Sequence, residues 1–356
     1  MEAFSPFFRT VPEAAGSVER SLSPPAGAMD AMPRHVQADE RPDVSVILVN
    51  YNTAHLLDRA LAALEAGRGA VKLQVIIVDN ASRDNSVEVL HARHKDVELI
   101  ANTVNVGFGR ANNQAVSRAR GRYLLLLNTD AFVAPDTLAK TVSFMDAHPK
   151  CGILGVKLVG RNGSLQPSCR YFPTPWNLFL NTTGLKRFFP TARLVDDMSW
   201  DHASERECDW VPGCYYLVRR EVIDKVGLFD PRYFLYYEEV DHCRAVRQAG
   251  WTVIYYPFTQ VMHIGGESAE TEGPLTSSGR QISTYQIESE LLYFRKQYGI
   301  RGILSALFLT TSADVMTAGK AVIRRLDAAR AAAAMRHTWV TLRILFDTRF
   351  ASRPTR

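Results

Sequence analysis

Apolar residues fall in short runs along the first half of the chain, and each run is followed by an amphipathic stretch. Val44-Ser45-Val46-Ile47-Leu48-Val49 is short, rich in β-branched residues and flanked by polar ones, the pattern of a strand buried on both faces. Asn52 or Thr53 can cap the helix that follows, in which Leu56, Leu57, Ala60, Leu61 and Leu64 share one face. Residues 73–78 predict a second strand. Asp79-Asn80-Ala81-Ser82 then reads as a loop, and a helix runs to about His94. Residues 97–100 predict a third strand, and the turn Asn105-Val106-Gly107-Phe108-Gly109 leads into a helix through Ala119. Residues 122–127 predict a fourth strand, and Pro135 suits the first turn of a helix over 136–147.

This β-α-β-α-β-α-β order predicts an α/β fold with a doubly wound, mostly parallel sheet. Ligands of such sheets bind beyond the carboxyl ends of the strands. Asn50, Asp79, Asn105 and Asp130 all fall just past strand ends.

The second half is less regular. Residues 210–218 and 251–256 predict strands, 219–226 a short helix, and 238–248 an amphipathic helix ended by Gly250. The expected organisation is a disordered leader at 1–42, a catalytic domain over 43–279 whose last stretch, 264–279, is a Gly/Ser/Thr/Glu-rich loop, and a helical extension over 280–356.

Charge refines this picture. The chain of 356 residues has a formal net charge of only +5, yet residues 295–356 hold twelve Lys/Arg against three Asp/Glu. The basic tail points to an anionic surface, whereas the rest is slightly acidic, which argues against nucleic acid as a partner. In the tail Ile303, Leu304, Leu307 and Phe308 can form an apolar face, with Lys320, Arg324, Arg325, Arg330, Arg336 and Arg343 supplying charge for anionic lipid. The competing reading is a helix pair packed on the catalytic domain, favoured by the Ala-rich stretch 328–334. The five cysteines form no CxxC pair and no zinc spacing, which fits reduced thiols in a cytoplasmic protein. Neither a signal peptide nor an uninterrupted apolar run of ~18 residues is seen. Nothing in the pattern fixes an oligomeric state.

Two acidic segments carry the candidate chemistry. Asn128-Thr129-Asp130 closes a buried strand, where a carboxylate can hold a divalent metal against a diphosphate. Glu238-Glu239-Val240-Asp241 opens a helix, where a carboxylate can take a proton from a hydroxyl. Close like charges raise one carboxyl pKa toward that task, although acids also simply favour a helix N-terminus. Gly107-Phe108-Gly109 is not a dinucleotide fingerprint, because the third glycine is missing.

Taken in order, several motifs resemble the inverting family 2 glycosyltransferases with a GT-A fold, and most of all their bacterial rhamnosyltransferase-like branch. They are the first strand with Asn50-Tyr51-Asn52, Val78-Asp79-Asn80-Ala81-Ser82, Asn105 to Gly109 with Asn112-Asn113, and Leu127-Asn128-Thr129-Asp130. Val211-Pro212-Gly213, Val226-Gly227-Leu228-Phe229-Asp230, Tyr236-Tyr237-Glu238-Glu239-Val240-Asp241 and His263-Ile264-Gly265-Gly266-Glu267-Ser268 complete the set, so the resemblance covers roughly 43–270. Asn128 stands where that family often has the first Asp of Asp-x-Asp, and Glu238-Glu239 where it usually has Glu-Asp.

The resemblance implies a nucleotide-sugar site. Asp79 would recognise the pyrimidine base, with Asn50 lining the same pocket. Asn105, Gly107 and Asn113 would serve the donor sugar or phosphate. Mg²⁺ or Mn²⁺ would sit at Asp130, supported by Asn128, with His263 reaching the metal or the diphosphate. Glu239 would be the general base, Glu238 the second candidate, and Asp241 would position the loop or contact acceptor. The donor implied is dTDP-L-rhamnose, or else a UDP-sugar, and the acceptor a lipid-linked or cell-wall glycan. A sugar-phosphate nucleotidyltransferase is disfavoured because residues 44–55 hold neither Gly nor Lys/Arg, and a noncatalytic glycan-binding relative because Asp130 and Glu239 are retained.

Overall fold

The computed structural model describes residues 41–265, 284–323 and 328–356. The expectations for the leader up to residue 40 and for the loop from 266 onward lie outside these residues. Strands β1 (Val44–Asn50), β2 (Leu73–Asp79), β3 (Glu98–Ala101) and β4 (Tyr123–Leu127) alternate with helices α1 (Ala54–Gly67), α2 (Ser86–Arg93) and α3 (Phe108–Val116). Then come β5 (Ala131–Val133), α4 (Thr137–Ala147), β6 (Cys151–Val159), β7 (Leu165–Gln166), α5 (Pro175–Thr183) and β8 (Arg206–Glu207). The rest is β9 (Tyr215–Arg219), α6 (Arg220–Val226), α7 (Glu238–Gln248), β10 (Thr252–His263), α8 (Thr284–Ile323) and α9 (Ala328–Asp347).

The strands form one ten-stranded sheet in the order β3-β2-β1-β4-β9-β6-β10-β5, with β7 beside β6 and β8 beside β10. The first four strands are parallel, and β10 runs parallel to β6. β9 runs against both β4 and β6. The expected parallel half is therefore present, and a mixed half is built onto it. β6 and β5 fall in sequence that carried no strand assignment, and β9 begins at Tyr215, later than the pattern implied.

Both faces of the sheet are covered, which is why the strands read as continuous apolar runs. Successive residues alternate between two cores. Ile47, Ile76, Leu124 and Leu126 enter one, while Val46, Leu48, Leu125 and Leu127 enter the other. Each such side chain contributes about 1.5–3 kcal/mol on burial.

α8 is bent where Gly299 takes a left-handed φ of 63°. Before the bend, Leu291, Leu292, Tyr293 and Phe294 are fully buried in the first of these cores. After it the helix pairs with α9, and Asp314 accepts hydrogen bonds from His337 and Thr338 across the pair. The chain from Arg41 to Arg356 is one compact unit.

Candidate active site

The carboxyl edge of β1, β2 and β4 carries a continuous polar network. Asn50 Nδ2 donates to Asp79 Oδ2 at 2.8 Å and to Ser82 Oγ at 3.0 Å, and the Ser82 amide donates to Asp79 Oδ1. The Thr53 hydroxyl donates to Asn50 Oδ1 at 2.7 Å and lies 2.9 Å from the hydroxyl of Thr129, the neighbour of Asp130. This use of Thr53 corrects the expectation of a helix cap: no side chain of its own caps α1, whose first amide, Ala54 N–H, donates to Asp84. Asn50 is fully buried with both amide atoms engaged, so it holds Asp79 in place instead of lining a pocket. Asp79 is itself only 2% exposed.

The glycine loop is braced from within. Asn105 Oδ1 accepts from Asn80 Nδ2 and from the Gly107 amide, which braces the loop. Gly107 has φ 88°, and a Cβ there would lie 2.4 Å from the carbonyl oxygen of Phe234. The glycine is needed for that close backbone approach, and Phe108 N–H donates to the same carbonyl. Asn113 exchanges two hydrogen bonds with the backbone of Phe229, at 2.7 and 3.0 Å, a clip between α3 and the segment before α7. A Cβ added at Gly109 would lie 3.6 Å from the Glu238 Cβ, so the loop comes close to the start of α7.

Asp130 meets His263 because β10 pairs antiparallel with β5, placing His263 opposite Ala131. His263 Nε2 lies 3.5 Å from Asp130 Oδ1, while Gly265 N–H donates to Asp130 Oδ2 at 3.1 Å. Gln166, on β7, fixes the imidazole from behind. Its Nε2 donates to the His263 carbonyl, which turns its Oε1 toward Nδ1 at 2.9 Å. Nδ1 therefore carries a proton for Gln166, and Nε2 is the nitrogen presented to Asp130. Burial opposes a charge on His263, but Cys214 beside it and then Asp130 outweigh burial and lift the pKa to about 9. Asn128 is half-exposed, and its backbone amide donates to Cys214.

A divalent cation fits this pair provided that it displaces the proton that Cys214 and Asp130 favour on His263 Nε2. One carboxylate and one oriented imidazole nitrogen face the same point, and hard cations such as Mg²⁺ complete their shell with phosphate oxygens and water. Among the described residues no group of three His, Cys, Asp or Glu side chains could hold a metal, so substrate oxygens would supply the remaining ligands.

The carboxylates of α7 are set by strain. Tyr236 and Tyr237 take consecutive left-handed φ values of 70° and 67°, a costly conformation for bulky residues and one that clusters at functional sites. The Tyr237 hydroxyl donates to Glu290 of α8, which helps to hold the turn. Glu238 is buried and Glu239 half-buried, and each has an Oε2 shielded from solvent with no hydrogen-bond partner among the described residues. Burial raises both carboxyl pKa values. The charge on Glu239 raises Glu238 further, whereas the nearby Arg170 guanidinium favours ionised Glu239. Both acids therefore resist ionisation, and Glu239 is the one of the pair with a cation that favours its charged form. The oxygens of Asp241 accept from Lys296 and Gln297 of α8, so it ties the two helices together, which suits the positioning half of its expected role.

The two acidic centres are joined by contacts that the sequence did not reveal. Asn128 N–H donates to the carbonyl of Cys214, Gly213 faces the Phe108 ring, and Gly109 faces Glu238, each close enough that an added Cβ would touch its neighbour. Thr53, Asn80, Ser82, Thr129, Gln166 and Arg170 were all missed as site residues. Of these, Asn80, Ser82 and Thr129 stood inside the motifs as polar neighbours of an acid, and Thr53 was read only as a helix cap.

Comparison with known proteins agrees with this geometry. Residues 45–198 match the family model "Glycosyl transferase family 2". The chain is similar to the N-acetylglucosaminyl-diphospho-decaprenol L-rhamnosyltransferase of Mycobacterium tuberculosis, with 27% identity over 67% of this chain and 82% of the relative. It is also similar to the poly(ribitol-phosphate) beta-N-acetylglucosaminyltransferase TarS of Staphylococcus aureus, with 25% identity over 41% of this chain but only 26% of that protein. Among solved structures, the mannosyltransferase PcManGT of Pyrobaculum calidifontis matches with a TM-score of 0.50 and 17% identity over 88% of each chain.

Asn113→Ala should lower the unfolding free energy by about 1–3 kcal/mol in urea titrations, because it leaves two backbone groups of Phe229 unpaired. Donor affinity should stay within twofold of wild type, and a larger loss of affinity at unchanged stability would restore Asn113 to the ligand site.

The motifs along the strand ends, the family match and the shared architecture lead to one identification: residues 45–198 form a glycosyltransferase family 2 domain, in a chain whose fold is of the GT-A type.

Proposed function

We propose that this enzyme transfers a sugar, L-rhamnose from dTDP-L-rhamnose, to a hydroxyl of a phosphate-linked glycan, with inversion at the anomeric carbon. The observation that carries the reading is the unpartnered acid pair opening α7, joined through Gly109, Phe108, Gly213 and Cys214 to the Asp130–His263 pair. The rhamnosyl donor is supported by the name of the mycobacterial relative. A phosphate-linked acceptor is supported by the names of both relatives, one acting on a diphospho-lipid and the other on a ribitol-phosphate polymer.

Asp79 forms the base pocket, held by Asn50 and Ser82. Asn105 and Gly107 shape the loop beside the donor, and Asn128 supports the turn that carries Asp130. Mg²⁺ or Mn²⁺, held by Asp130 and His263, would supply the positive charge that stabilises the departing nucleoside diphosphate. Glu239 Oε accepts the proton of the acceptor hydroxyl as its oxygen attacks the anomeric carbon from the face opposite the leaving group. Glu238 remains protonated, and Arg170 keeps Glu239 available as the base.

A lipid-linked acceptor would place the enzyme on the cytoplasmic face of a membrane, and α8 supports that location. The exposed face differs from the one expected. Ile303 is 1% exposed and Leu307 packs partly into the core, whereas Ile300, Leu304, Phe308 and Val315 stand in solvent, with Arg301 on the same helix and Arg336 and Arg343 exposed on α9. α8 is long and apolar enough to cross a membrane, but its first half belongs to the catalytic core, so surface docking is the reading that keeps the fold intact.

Thermal shift with Mn²⁺ should rank dTDP-rhamnose first and UDP-sugars second. Asp130→Ala should abolish both transfer and the Mn²⁺-dependent part of the shift. Selective stabilisation by GDP-mannose alone would refute the donor assignment.

Glu239→Gln should lower kcat by ~10²–10⁴-fold with little change in donor affinity. Glu238→Gln should retain most of the rate, since glutamine resembles a protonated acid. The reverse pattern would move the base to Glu238.

Full-length protein should float with anionic vesicles at low salt and release at high salt. A Leu304→Ser/Phe308→Ser double variant with an unchanged melting temperature should stay in the soluble fraction. Equal flotation of the two proteins would remove α8 as the docking face.

A further inference from the structure

A cavity of about 480 Å³ lies outside the site described above, between the segment leading into α5, helix α7 and the bend of α8. Its walls include Tyr171, Trp176 and Phe189, and two arginines, Arg193 and Arg244, line it. Arg244 is half-buried. It donates to the hydroxyls of Tyr293 and Tyr298 at 2.9 and 3.0 Å and stacks on Phe172 at 5.0 Å. Arg193 is exposed and stacks on Tyr171 at 5.1 Å. No carboxylate among the described residues pairs with either arginine. Asp209, also on the wall, is already engaged: it accepts from the Phe172 amide and faces Arg247 at 3.8 Å. Two guanidinium groups lacking a counter-charge on an aromatic-walled cavity form a site for a phosphate-bearing ligand.

The position relative to the base narrows the choice. Arg244 is on the same helix as Glu239, five residues further on, or about 7.5 Å along the axis. The segment that brings Arg170 near Glu239 continues directly into Tyr171 and Phe172 on the cavity wall. Five residues turn the helix by about 140°, so Arg244 leaves a different face of α7 from Glu239, and the Arg170–Phe172 segment is what links the cavity to the base.

We propose that this cavity is an acceptor subsite, in which Arg193 and Arg244 hold the phosphate that links the accepting sugar to its carrier. The inference rests on the glycosyl-transfer reading above and adds the place where the acceptor is recognised. The shared chemistry is a phosphate next to a sugar or polyol. It arises either from a prenyl diphosphate or from a polyol phosphate chain.

The test uses the full-length protein with Mn²⁺ and excess nucleoside diphosphate filling the donor site. Farnesyl diphosphate, ribitol 5-phosphate and farnesol are titrated by calorimetry into wild type, Arg193→Gln and Arg244→Gln. The phosphate probes should bind and farnesol should not, and each substitution should weaken phosphate binding by roughly tenfold or more. Tighter binding of farnesyl diphosphate identifies a lipid carrier, and tighter binding of ribitol 5-phosphate a polyol carrier. In transfer assays KM for the acceptor should rise while kcat and the rate of donor hydrolysis stay unchanged. Arg193 is at the surface, so Arg193→Gln with an unchanged melting temperature is decisive even if Arg244→Gln is unstable. Wild-type affinity for both phosphate probes in Arg193→Gln, or equal binding of farnesol, overturns the proposal. Absence of donor hydrolysis in wild type would instead sink the glycosyl-transfer reading, and the binding result would stand apart from it.

Discussion

The antiparallel pairing of the end of β10 with β5 is the contact on which the site depends. It sets His263 opposite Ala131, which puts the imidazole beside Asp130, and it lets Ile264 N–H donate to the Asp130 carbonyl. Neither residue alone makes a binding centre. A strand-end carboxylate is commonly a local cap, and a half-buried histidine is commonly structural. Register makes the difference, because a slip of one residue would turn His263 to the other face of the sheet. Gln166 then removes the remaining freedom by fixing which ring nitrogen faces Asp130.

The second centre is held by a different device. α7 begins after two tyrosines in left-handed conformations, which surrounding structure must enforce. That structure comes largely from α8. Glu290 accepts from the Tyr237 hydroxyl, Ser289 donates to the Leu235 carbonyl, and Lys296 and Gln297 clamp Asp241. The helical extension is therefore part of the catalytic machinery as well as a candidate docking surface. Removing it would free the very turn that presents Glu238 and Glu239, which is why point substitutions on its exposed face are the informative ones.

The paired acids also illustrate how neighbours divide a task. Both sit in surroundings that disfavour charge, yet only one has a cation close by. Arg170 reaches that position because it bridges to Trp210 and pairs with Asp196, both distant in the chain. Placement alone thus gives two chemically identical side chains different electrostatic surroundings.

Local pattern was enough for the parallel half of the sheet. Continuous apolar runs spaced by amphipathic stretches are what strands covered on both faces require, so β1 to β4 and the helices between them were readable, and with them the strand-end positions of Asp79 and Asp130. Glu238 and Glu239 were also legible, since acids that open a helix stand out from the apolar positions behind them. What only the tertiary structure decided was partnership. Asn50 and Asn113 are polar residues in the right motifs, but burial against Asp79 and against the Phe229 backbone makes them braces. Asp241 looks like its neighbours in sequence and is taken by Lys296. β6, with both faces covered and small glycines among its residues, carries no alternation to mark it. Gln166, Arg170, Arg193 and Arg244 carry no sequence signal at all, because their roles arise from pairings and cavities between segments remote in the chain, and periodicity reports only what a residue's own neighbours impose.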